Sequence, residues 1–70
     1  SFINVINESS KEISFIKLYD LKGINIRINF LKDFENNIKI KSSNLKTGIY
    51  IMYVVFSDGS YKSTKLVVRK

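Results

Sequence analysis

The sequence predicts an all-β fold, a small antiparallel β-sandwich of about six to seven strands with no significant helix. Three observations carry that expectation. Apolar and polar residues alternate with a period of two along most of the chain, and helical periodicity is nearly absent. Short β-branched and aromatic runs recur between breaks rich in Gly, Asn, Asp and Ser. Finally, 70 residues allow a single domain with a single core, close to the lower size limit for an unaided hydrophobic core.

The elements follow in order. Phe2–Asn7 is a short apolar segment suited to a strand, and Ile13–Tyr19 is the next. In the latter, Ile16 and Leu18 point one way, while Phe15 and Tyr19 point the other around Lys17. Leu21-Lys22-Gly23 breaks it, glycine being free to take a positive φ in a tight turn. Ile24–Leu31 has the cleanest alternation: Ile24, Ile26, Ile28 and Phe30 share one face, and Asn25, Arg27 and Asn29 the other. Lys32–Asn37 is polar, with Asn36-Asn37 suited to a turn, and Ile38 and Ile40 then alternate with Lys39 and Lys41. Ser42–Gly48 reads as a polar crossing loop anchored by Leu45.

Ile49–Phe56 differs in being apolar on both faces, which predicts a central strand. Asp58-Gly59 between two strand patterns is a hairpin signal, and Tyr61–Lys70 is the last strand. About six strands joined by turns point to a sandwich of immunoglobulin-like kind, with a small, partly open barrel as the alternative.

Composition removes most chemistry. The chain has no Cys, hence no disulfide, thiolate nucleophile or sulfur-ligated metal. It has no His, which takes away the commonest general base and the usual zinc ligand. The sparse acids form no cluster suited to calcium. No nucleophile stands with a base and an orienting group at a defensible spacing, so neither an enzyme nor a cofactor is expected. No apolar run approaches the roughly 18 residues of a membrane span. The start at Ser1 leads to the expectation that residues 1–70 are a piece of a longer polypeptide, with any export signal upstream.

The net charge of +6 is unevenly spread. Residues 1–38 balance Lys11, Lys17, Lys22, Arg27 and Lys32 against Glu8, Glu12, Asp20, Asp33 and Glu35. Residues 39–70 set Lys39, Lys41, Lys46, Lys62, Lys65, Arg69 and Lys70 against Asp58 alone. Such a field could draw in nucleic acid, an anionic lipopolysaccharide or an acidic protein groove, or could simply keep the surface soluble.

Three segments together resemble a known family. They are Ile16-Lys17-Leu18-Tyr19-Asp20-Leu21-Lys22-Gly23, then Leu45-Lys46-Thr47-Gly48-Ile49-Tyr50-Ile51, then Asp58-Gly59 followed by Lys65-Leu66-Val67-Val68-Arg69-Lys70. Their order and spacing are similar to the type A C-terminal sorting domain of the type IX (Por) secretion system of Bacteroidota. Two positions depart from that family's pattern. No Pro-Asn-Pro-like motif opens the chain, and Ile24 stands where Arg, Lys or Gln is usual.

The resemblance implies a non-catalytic signal at the C-terminus of a fused cargo protein. On that basis the cargo crosses the periplasm, and an outer-membrane shuttle protein and the translocon select it through this domain. A sortase-like peptidase would cleave upstream of the domain, and the cargo would end at the cell surface or outside the cell. Recognition would rest on Lys65, Leu66, Val67, Val68, Arg69 and Lys70, with a free strand edge open to β-augmentation. Tyr19, Asp20, Leu21, Gly23, Leu45, Gly48, Ile49, Tyr50, Asp58 and Gly59 would be mostly structural. Gly23 and Gly48 suit a positive φ or a close backbone approach, Asp20 suits a turn acceptor, and Tyr50 needs a partner for its hydroxyl if buried.

Two other functions fit some of the residues. An appended adhesion or carbohydrate-binding module explains the fold and the tyrosines but not the terminal Lys-Leu-Val-Val-Arg-Lys. A basic nucleic-acid-binding fold would use Tyr50, Tyr53, Phe56 and Tyr61 as a stacking platform, although the aromatics of Ile49–Phe56 are expected to be needed in the core.

Overall fold

The computed structural model describes residues 2–33, 35 and 37–69. Among these, seven strands form: β1 (Phe2–Val5), β2 (Ile13–Asp20), β3 (Asn25–Ile26), β4 (Phe30–Lys32), β5 (Ile38–Lys41), β6 (Gly48–Phe56) and β7 (Tyr61–Val68). One sheet has the order β1-β5-β4 and the other β3-β2-β6-β7, with every pairing antiparallel. The described residues contain no helix, so the chain is an all-β sandwich of two sheets.

Period-two alternation explains the packing. Ile38 and Ile40 of β5 face inward and meet Ile16 and Leu18 of β2 and Tyr50, Met52, Val54 and Phe56 of β6 in one core. Leu45 drops into that core from the loop between β5 and β6, as its isolated place in a polar stretch predicts. Ile13, Leu18, Ile38, Ile40 and Leu45 are fully buried, and hiding one such side chain contributes about 1.5–3 kcal/mol.

The run Ile24–Leu31, expected as one strand, is divided. Ile24 still belongs to a turn: its amide donates to Asp20 Oδ1 at 2.9 Å, its carbonyl accepts from the Asp20 amide at 3.0 Å, and its side chain is 56% exposed. Asn25–Ile26 then pairs with β2, and Phe30–Lys32 pairs with β5 in the other sheet. The crossing keeps its inward face. Ile26, Ile28 and Phe30 all pack against the shared core, so alternation survives while hydrogen-bond partners change.

The turns rest on aspartates. Asp20 Oδ1 accepts the amides of Lys22 and Ile24, and Asp33 Oδ1 accepts those of Glu35 and Asn37, all at 2.9 Å. Asn36 lies outside the described residues, so the expected Asn36-Asn37 turn is seen only through Asn37. Gly23 has φ +84° and Gly59 φ +88°, each closing a three-residue loop in which a left-handed residue follows a type I turn. Gly48 does not share this need. Its φ is not in the left-handed region, and an added Cβ would meet nothing closer than Tyr50 Cε2 at 4.0 Å.

Lys32 ties the two sheets together. Its Nζ donates to the Ile13 carbonyl at 3.1 Å, where the register of β2 on β6 shifts between Ile13 and Phe15 in a β-bulge.

Leu18→Ala is expected to lower stability by about 2–5 kcal/mol, as cavity formation in a core generally does. Leu31→Ala, on the solvent side of β4, should change it by less than about 0.5 kcal/mol. Urea unfolding followed by circular dichroism measures both.

Candidate functional site

The terminal strand β7 lies at the free edge of the four-stranded sheet, paired with β6 from Gly48↔Val68 to Val55↔Tyr61. Alternation divides its motif residues. Val68 is buried and Leu66 packs against the core, whereas Lys65, Val67 and Arg69 are exposed. Leu66 and Val68 are therefore occupied in holding the sandwich together. Among the described residues of this motif, Lys65, Val67 and Arg69, together with the backbone edge, are the ones left open to a partner. Lys70 lies outside the described residues.

Most of the remaining motif residues have structural work. The Tyr50 ring is in the core and its hydroxyl donates to the Lys46 carbonyl at 2.6 Å, four residues upstream, as in the corner tyrosine of other β-sandwiches. Leu45 fills the core, and Asp20 and Gly23 form the β2–β3 turn. Leu21 and Ile49 remain exposed.

Asp58 sits at the β6–β7 turn. The Ser60 hydroxyl donates to its Oδ1 at 2.5 Å and the Ser60 amide donates to the same oxygen at 2.9 Å, while Lys11 Nζ stands 3.1 Å from Oδ2. The Ser60 hydroxyl first, then the Ser60 amide and Lys11, bring its carboxyl down from the ordinary 3.8 to about 2. Lys11 also donates to Ser60 Oγ at 3.0 Å, so the loop before β2 clasps the hairpin through its side chain.

The sequence did not disclose what lies on the outer face of the same sheet. The registers of β2, β6 and β7 set Tyr19, Ile51 and Lys65 in one row, Lys17, Tyr53 and Ser63 in a second, and Phe15, Val55 and Tyr61 in a third. The Tyr19 and Tyr53 rings meet edge to face with centroids 5.6 Å apart, and Tyr53 and Tyr61 lie 5.9 Å apart. Tyr61 is 65% exposed and Phe15 37%. A groove of about 590 Å³ runs over this surface.

Tyr53, expected in the core, thus stands on the outer face, while Tyr50 and Phe56 are buried. A stacking platform built from Tyr50, Tyr53, Phe56 and Tyr61 is split between the two faces of the four-stranded sheet, Tyr50 and Phe56 inward and Tyr53 and Tyr61 outward. The signal available beforehand was Tyr19, Tyr53 and Tyr61 each standing at an odd position of its alternating strand. What was missing was the pairing that brings them side by side.

The basic excess is divided as well. Lys39 and Lys41 are on the outward positions of β5, and Lys65 is on the opposite side of the sandwich. No group of three or more acidic side chains able to hold a metal occurs among the described residues.

A family model described as the secretion system C-terminal sorting domain matches residues 1–69. Nothing matches among curated proteins, and nothing among solved structures.

Two measurements check the local chemistry. Because the Asp58 pKa is depressed in the folded chain, its stabilisation is complete above about 4 and is lost as the pH falls toward about 2. Asp58→Asn should remove that component, so the difference in melting temperature between the two proteins should develop in this window. Tyr50→Phe, which strips only the hydroxyl, should cost about 1 kcal/mol in urea unfolding.

Proposed function

Because the chain belongs to the family of secretion system C-terminal sorting domains, we propose that it is the non-catalytic signal by which a fused upstream cargo protein is carried across the outer membrane by type IX secretion. The family match over residues 1–69 carries this reading. In it, the cargo passes through the periplasm, an outer-membrane shuttle protein and the translocon take hold of the domain, and a sortase-like peptidase cuts upstream of it. The cargo ends at the cell surface or in the medium.

The terminal strand supports the mode of recognition. β7 has an open edge, and a receptor strand could add to it by backbone hydrogen bonding while Lys65, Val67 and Arg69 supply selectivity. Lysines on an edge strand also guard against aggregation, and that duty is compatible with selective pairing. The exposed tyrosine row favours a second reading, an appended adhesion or carbohydrate-binding module.

The test is export of a fluorescent reporter carrying an N-terminal export signal and this domain at its C-terminus, in a host with an active type IX system. The reporter is expected at the surface or in the medium, and in the periplasm when the translocon is deleted. Removing Arg69–Lys70 spares the buried Val68 and should abolish export without unfolding the sandwich. Periplasmic retention of the intact fusion even in the competent host, together with binding on a glycan array, would replace the sorting role with the second reading.

A further inference from the structure

A small sandwich has few large apolar side chains and is expected to spend them in its core. On the four-stranded sheet this one also presents Phe15, Tyr19, Ile51, Tyr53, Val55 and Tyr61 outward around a single groove. A contiguous apolar surface with a polar border marks an interaction site more often than do scattered exposed residues.

The border is cationic. Lys17 lies among the groove residues with its Nζ 5.7 Å from the centroid of the Phe15 ring, and Lys65 ends the row of Tyr19 and Ile51. The outward positions of β2, β6 and β7 carry no carboxylate. Asp20, at one end of the groove, already accepts two turn amides through Oδ1.

These features select an occupant. A second copy of the chain would bring no carboxylate on the outward positions of this face to pair with Lys17 and Lys65, so self-association through it lacks charge complementarity. The tyrosines could stack a glycan ring, but Ile51 and Val55, which flank Tyr53 on β6, offer its hydroxyls no hydrogen bond from their side chains. The floor suits apolar side chains and the border suits carboxylates.

We infer that this outer face is a docking groove for an extended polypeptide segment that alternates apolar and acidic side chains. Its place in secretion rests on the sorting role proposed above, while its chemistry rests on the face alone. Such a segment would set its apolar residues between the tyrosines and its carboxylates against Lys17 and Lys65.

The experiment is an NMR titration of the isotopically labelled 70-residue chain with a synthetic peptide alternating Glu with Val and Phe. Controls are the same peptide with Lys in place of Glu, polyglutamate, and heparin. Amide shifts are expected to concentrate at Lys17, Tyr53, Ser63 and Lys65 with the Glu peptide. Affinity should fall at least about tenfold in Tyr53→Ser, Tyr61→Ser and Lys65→Glu, by loss of an aromatic anchor or reversal of a charge. Amide spectra unchanged away from the face would show that these variants fold, and the highly exposed Tyr61 makes its variant the safest of the three.

Shifts centred instead on Lys39 and Lys41, no binding of the Glu peptide, or equal binding by polyglutamate or heparin would overturn the groove. The reporter assay reads the other premise separately. If the intact domain fails to direct export while the Glu peptide still binds as expected, the sorting role falls and the groove stands.

Discussion

Strand β6 is the constraint on which the rest of the molecule depends. It is the longest strand, lies between β2 and β7, and carries large apolar side chains on both faces. Its inward set, Tyr50, Met52, Val54 and Phe56, forms one wall of the core. Its backbone is hydrogen-bonded on both edges, so its register sets the positions of both neighbours. Its outward set, which no other described strand covers, becomes the floor of a surface groove.

Alternation then assigns two duties to the terminal strand. Pairing Gly48 with Val68 and Tyr50 with Leu66 turns those two apolar residues into the core, and it necessarily turns Lys65 and Val67 outward. A motif that is continuous in sequence is thus half structural and half available, and a partner can read only the available half and the free edge. The same geometry places the available half beside the tyrosine row, so edge and face form one continuous surface.

Small size makes the loops matter. A core fed by short strands leaves little margin, and several connections are held by side-chain acceptors. Asp20, Asp33 and Asp58 each receive turn amides, Lys11 reaches the β6–β7 turn, and Lys32 spans the two sheets. The aspartates act where glycine alone would give the turn freedom without direction.

Much of this was legible beforehand. Two-faced apolarity identified β6 as central, Asp58-Gly59 marked its hairpin, Leu45 was recognisable as a core anchor, and the order of three motifs marked the family. By contrast, Ile24–Leu31 looked like one strand because alternation reports which face is inward and is silent about which strand is the hydrogen-bond partner. Tyr53 looked like core because an apolar strand does not say which of its faces will be covered. The sequence by itself determined the all-β class, the central strand β6, most of the inward residues and the glycine and aspartate turns, because these follow from local periodicity and from the backbone freedom of particular residues. Only the tertiary structure decided the sheet change after Ile26 and the meeting of Tyr19, Tyr53 and Tyr61, because both depend on register between strands distant in the chain.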